Sequence, residues 1–118
     1  YLHLIKNRNE LKYVTNKEYF MSIINSLKND SKKIVMTNGC FDLLHAGHIE
    51  FLKKSKKEGD FLILAINSDS SVKENKGSKR PINTLVDRIN ILAALTFVDL
   101  ILFQRYPRFY LPKLIHIF

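Results

Sequence analysis

Residues 61–66 read Phe-Leu-Ile-Leu-Ala-Ile, an unbroken apolar run between Gly59-Asp60 and Asn67-Ser68-Asp69. A strand with one face in water alternates polar and apolar residues. An uninterrupted run of this length instead predicts a strand covered on both faces, at the centre of a parallel sheet. Such a strand needs helices above and below it, and the rest of the chain supplies them in alternation. Ile34-Val35-Met36 and Val98-Asp99-Leu100-Ile101-Leu102-Phe103 read as two further strands. Thr15-Asn16-Lys17-Glu18 has the form of a capping box with Thr15 at the N-cap. It predicts a helix that buries Phe20, Ile23, Ile24 and Leu27 and fades in Asn29-Asp30-Ser31. A second helix begins around Ala46, turns Ile49 and Leu52 inward and ends at Gly59-Asp60. Asn83 or Thr84 caps a third, whose Leu85, Ile89, Leu92, Ala93 and Leu95 face the core, while the polar stretch 70–83 reads as irregular.

This order predicts an α/β fold, a parallel sheet with flanking helices and right-handed crossovers, in which ligands bind beyond the carboxyl ends of the strands. At 118 residues the chain is one domain at most. Residues 1–14 show no clean period and read as a linker or the remnant of something upstream, the more so because no initiator Met precedes them. Residues 15–103 form the expected domain. Residues 104–118 are an atypical tail with two prolines, no acidic residue and no period, read as an edge strand with a flexible end or as a truncated C-terminus. No internal repeat is visible.

Hydrophobic residues make up 46% of the chain, which favours folding over disorder. No apolar stretch approaches the ~20 residues that span a bilayer, and the N-terminus lacks a secretory pattern. The single Cys40 excludes an internal disulfide and fits a reducing cytoplasm. The net charge of +8 comes from scattered lysines. Lys53, Lys54, Lys56 and Lys57 cluster on the outer face of a helix, with no aromatic interleaving, so no nucleic-acid partner is expected. Attraction of anionic substrates is the milder consequence.

The chemistry concentrates at Thr37-Asn38-Gly39-Cys40-Phe41-Asp42 and His45-Ala46-Gly47-His48, between the first strand and the second helix. Gly39 lets the backbone come close to a ligand. His45 and His48 put two imidazoles beside the backbone N–H groups of a helix start, a place that binds phosphate readily. The bland reading of a lone histidine is structural, but a pair around Gly47 at a strand-to-helix junction favours function. His3 and His116 have no such setting. Cys40 reads as a small packed residue with no base beside it, and Cys40, Asp42 and His45 match no standard zinc spacing, so no metal site is expected.

With these residues stand Gly59-Asp60, Asn67-Ser68-Asp69-Ser70-Ser71-Val72-Lys73, Lys76-Gly77, Arg80-Pro81-Ile82-Asn83, Asp87-Arg88 and Leu92-Ala93-Ala94-Leu95 before Val98-Asp99. In this order they resemble the cytidylyltransferase-like nucleotidyltransferases, whose hallmark is His-x-Gly-His. The narrower resemblance is to the adenylyltransferase domain of bifunctional heptose kinase/adenylyltransferases, over roughly Lys17 to Phe103.

The resemblance implies a Rossmann-like nucleotidyltransferase fold, C-terminally truncated here, and transfer of a nucleoside monophosphate from ATP, carried with Mg²⁺, to heptose 1-phosphate. It implies His45, His48 and Lys76 as the catalytic set, and nucleotide binding by Thr37, Asn38, Gly39, Cys40, Phe41, Asp42, Gly47, Arg80 and Arg88. Against it stand plainer readings: Asp42 as a loop anchor, Lys76 as a solvated lysine, Arg88 as the partner of an acidic residue. A CTP-dependent cytidylyltransferase acting on glycerol 3-phosphate and a non-catalytic nucleotide-binding remnant are the alternatives. The resemblance further implies a fused or separate sugar kinase domain, leaves room for a homodimer, and places the chain in the cytoplasm. The Ser/Thr-rich segment that closes the site in the family has no counterpart between Gln104 and Phe118.

Overall fold

A computed structural model describes residues 12–104 and 114–116. The parts of the leading segment and tail beyond these lie outside the described residues. Among the described residues nine elements follow one another: β1 (Tyr13–Val14), α1 (Lys17–Asn29), β2 (Ile34–Gly39), α2 (Ala46–Lys57), β3 (Phe61–Asn67), α3 (Asp69–Lys76), α4 (Leu85–Ala93), β4 (Leu100–Gln104) and β5 (Leu114–His116). The strands form one sheet in the order β1-β4-β3-β2-β5. β1 to β4 run parallel, with Met36 opposite Ile63 and Ile63 opposite Leu100. β5 lies antiparallel on the outer edge of β2, pairing Thr37 with Leu114.

The apolar run behaves as its composition requires. On β3, Leu62, Leu64 and Ile66 enter one core with Leu52 of α2 and Ile89, Leu92 and Ala93 of α4. Ile63 points the other way, into a second core with Ile24 of α1, Ile34 and Leu100. Leu62, Ile63, Leu64 and Ile66 are all wholly buried. At about 25 cal/mol per Å² of apolar surface, double coverage makes this strand the hydrophobic centre of the sheet.

The structure moves several boundaries. Tyr13 and Val14, read as part of the leading segment, form an edge strand on β4. α1 is capped by Asn16 rather than Thr15: the Asn16 side chain accepts from the Tyr19 amide at 3.0 Å. β2 extends to Gly39, carrying the sheet up to the candidate site. Within the stretch expected to be irregular, α3 forms, capped by Ser68 at its start and ended by Gly77 at φ +107°. Thr84 caps α4, while Asn83 turns its side chain to the Asp42 carbonyl instead. No described helix is long and apolar enough to cross a membrane.

Candidate active site

β2, β3 and β4 end on the same side of the sheet, and the candidate residues gather past the ends of β2 and β3. The turn from β2 into α2 is shaped by three rings. Phe41 adopts a left-handed backbone, φ +48°, costly for a bulky residue and held here by burial. Its ring lies over Gly39, where an added Cβ would come within 2.9 Å of it. Its edge meets the His48 ring at 5.8 Å between centroids. The His45 ring lies over Gly47 in the same way, with Cε1 2.8 Å from where a Cβ would stand. Both glycines are needed because an aromatic ring occupies the space of their missing side chains.

His45 is the N-cap of α2. Its Nδ1 accepts from the Gly47 amide at 3.0 Å, and the His45 amide donates to His48 Nδ1 at 3.2 Å. The imidazoles thus cap the helix reciprocally, as Ser and Glu do in a capping box. With Nδ1 an acceptor in both rings, the proton of each neutral imidazole belongs on Nε2, on the far side of the ring from the helix backbone. The two rings lie 3.9 Å apart, so two N–H donors sit side by side. Burial, and then the charge of His45, push the His48 pKa down, which keeps its ring neutral and its Nδ1 free to accept. The Gly47 and His48 amides are already engaged by His45. An anion at this helix start therefore meets imidazole N–H groups rather than those two amides.

The imidazoles open on two contiguous, overlapping clefts of about 480 and 590 Å³, within the range of small-ligand sites. Asn38, Gly39, Cys40, Phe41, His45, His48 and Lys76 line both. Gly47 and Phe51 complete the first, and Asp42, Leu43, Asn67 and Arg80 the second. Lys76 is the last residue of α3 and lines both clefts with the His pair.

Two expected ligand residues have other work. The buried Asp42 carboxylate accepts from the amides of Ile82 and Asn83 at 2.8–3.0 Å and from Arg80 Nε. Burial alone would raise its pKa; the two amides and Arg80 outweigh that and hold the carboxyl below the usual carboxylate range. Asp42 is thus the anchor of the 80–83 loop. Among the described residues only Nε of Arg80 is engaged, which leaves its terminal nitrogens for an anion. Arg88 does not line either cleft. It is wholly buried and donates to the carbonyls of Cys40, Asn67 and Asn83 and to Asp69, which corrects its reading as a nucleotide-binding residue. Thr37 is buried within β2 between β3 and β5 and does not line the clefts, a second correction.

Phe51, Leu43 and Asn67 also line the clefts, though none was named among the expected binding residues. Asn67, which donates to Cys40 Sγ at 3.2 Å, was signalled by its place at the end of an apolar strand. Phe51 was signalled by its spacing, one helical turn after His48. Among the described residues no group of His, Cys, Asp and Glu could hold a metal ion, and the one carboxylate at the opening is occupied.

The cytidylyltransferase-like family model matches residues 36–106. The chain is 50% identical over 90 residues to the bifunctional protein HldE of Campylobacter jejuni (strain RM1221), a match covering 76% of this chain and 19% of that one. It is 58% identical over 76 residues to the bifunctional protein HldE of Blochmanniella pennsylvanica (strain BPEN), covering 64% and 16%. Each match thus spans less than a fifth of the relative's length. Among solved structures it resembles the lipopolysaccharide core biosynthesis protein of Thermoplasma volcanium, with a TM-score of 0.58 and 38% identity over 63% of this chain and 59% of that one.

Proposed function

The chain belongs to the cytidylyltransferase-like family, and we propose that its nucleotidyltransferase-like domain moves adenylate from ATP to a sugar 1-phosphate, heptose 1-phosphate, yielding ADP-heptose and pyrophosphate. The observation that carries this reading is the reciprocal cap, which turns two Nε2–H donors toward a cleft that Lys76 and Arg80 also face. A phosphate oxygen of the acceptor attacks the α-phosphorus of ATP, the bond to the β-phosphate breaks, and pyrophosphate leaves with the electron pair. That reaction asks a protein for positioning and for stabilisation of spreading negative charge, not for a covalent nucleophile.

In this reading His45 and His48 donate to phosphate oxygens through Nε2. Lys76 meets the charge from the opposite wall, and the free end of Arg80 grips a phosphate in two-point fashion. Asn38, Gly39, Cys40 and Phe41 shape the floor on which the nucleotide lies. Magnesium would come with the nucleotide as Mg·ATP and would supply neutralisation of phosphate charge. A sugar kinase, fused or separate, supplies the acceptor, and the free nucleotide substrate places the reaction in the cytoplasm.

The test is pyrophosphate release from Mg·ATP and heptose 1-phosphate, with CTP and glycerol 3-phosphate as a second arm. Release with the first pair, lost in His48→Ala, supports the proposal. Release with the second pair alone replaces the substrates. Calorimetric binding of ATP without turnover in either arm makes the chain a nucleotide-binding module.

A further inference from the structure

We propose that Arg88 is the positioning residue that sets the two walls of the cleft against each other, the histidine-bearing turn after β2 and the Lys76-bearing helix α3. The proposal rests on the reading of the cleft as a nucleotide site, but its geometry does not. The Arg88 side chain has no solvent exposure. Its Nη1 donates to the carbonyls of Cys40 and Asn67, both at 2.8 Å, at the ends of β2 and β3. Its Nη2 donates to Asp69 at 2.7 Å, in the first turn of α3, and its Nε to the Asn83 carbonyl at 3.2 Å.

Three of the four acceptors lead to different parts of the site. Cys40 precedes Phe41, whose left-handed turn sets its ring edge-on to His48. Asp69 opens the helix that ends in Lys76. Asn83 closes the loop that hangs from Asp42 and carries Arg80. A buried guanidinium is tolerated only when its donors are met, and acceptors at residues 40, 67, 69 and 83 take four of its five N–H groups here. Lysine carries the same charge but concentrates its donors on one atom, so it cannot bridge two strand ends and still reach Asp69 and Asn83. Arg88 touches neither cleft and acts through the groups it holds.

The test uses Arg88→Lys and Asp69→Asn in the full chain, with three measurements. These are the ligand-free ¹H–¹⁵N imidazole spectrum of His48, amide exchange in α3, and Mg·ATP affinity by calorimetry. Arg88→Lys is expected to fold, to shift the His48 imidazole resonances, to speed α3 exchange about tenfold, and to weaken nucleotide binding about ten- to a hundredfold. Asp69→Asn alters a half-exposed side chain. It is expected to speed α3 exchange and weaken binding while leaving the His48 resonances in place. Folded Arg88→Lys with native His48 resonances and native α3 exchange overturns the proposal. Should Arg88→Lys not fold, unchanged α3 exchange in Asp69→Asn overturns it. Should the native chain not bind Mg·ATP, the nucleotide reading falls, and the two ligand-free measurements still judge the positioning role.

Discussion

Asp42→Asn separates the anchoring role of this carboxylate from any role in binding. The substitution keeps the shape of the side chain and one acceptor oxygen, which can still serve the amides of Ile82 and Asn83. It puts an NH₂ group where Arg80 Nε donates, donor against donor. Removing one side of a buried ion pair costs about 3–5 kcal/mol. Asp42 is 1% exposed at its side chain but Arg80 is 31% exposed and can rehydrate, which places the expected loss near the lower end, about 3 kcal/mol. Against a total stability of about 5–15 kcal/mol, that is a fifth or more of the whole, and a melting temperature lower by roughly 12–24 °C. Urea denaturation at pH 7 measures the difference. The pH dependence supplies the second check. The folded carboxyl is held below its ordinary value, so its stabilisation is complete above about pH 3.9 and is lost as pH falls through the lower folded pKa. The gap between native chain and variant should be full at pH 7 and close in acid. A gap under about 1 kcal/mol at pH 7, or one that persists unchanged in acid, refutes the anchor.

His48 should titrate below the ~6.5 of a free imidazole, as followed by its ring resonances. Between 6.5 and that lower value the unfolded chain binds a proton that the folded chain refuses, so stability falls as pH is lowered through this window; a midpoint at or above 6.5 contradicts the reciprocal cap. Gly47→Ala should leave α2 folded, since Ala favours a helix by up to about 1 kcal/mol over Gly. It should drive the His45 ring off its cap and weaken Mg·ATP binding about tenfold, and native affinity would show that the ring's position over Gly47 is immaterial.

What the sequence discloses depends on whether a residue's role is set locally. β3 was legible because burial on both faces writes itself as an unbroken apolar run. The His pair was legible because helix geometry fixes positions i and i+3 at one end, whatever the rest of the fold does. α3 was not, because it buries only Ser71 and Val72 and leaves no apolar stripe; its caps, Ser68 and Gly77, were the available signal. β1 has two residues, too few for any period, and exists through its pairing with β4. Asp42 and Arg88 show the limit most clearly. A charged residue near a phosphate motif reads the same whether it faces the ligand or the carbonyls behind it. Only the tertiary placement, 4% and 0% exposed, tells the two apart.

That placement sorts the charged groups of the site into two layers with different consequences. Asp42 and Arg88 are buried and bind main chain: two amides for the carboxylate, three carbonyls for the guanidinium. His45 and Lys76 are exposed, and Arg80 is half-exposed with its end free. The inner layer orients the outer one, since Asp42 holds Arg80 directly and Arg88 reaches both the Phe41 turn and the helix of Lys76. A change at Lys76 should therefore alter ligand affinity at nearly constant stability, whereas a change in the inner layer, or at Arg80 and His45, which pair with Asp42 and cap α2, should alter both together. The Asp42 charge is offset by Arg80 and by two amides, so the groups left to meet a ligand at the opening are Lys76, the terminal nitrogens of Arg80 and the two imidazole N–H groups, all of them donors suited to an anion. Every hydrogen bond that builds this arrangement has both partners between Cys40 and Arg88. The cleft's orientation is thus internal to the segment that the family model matches.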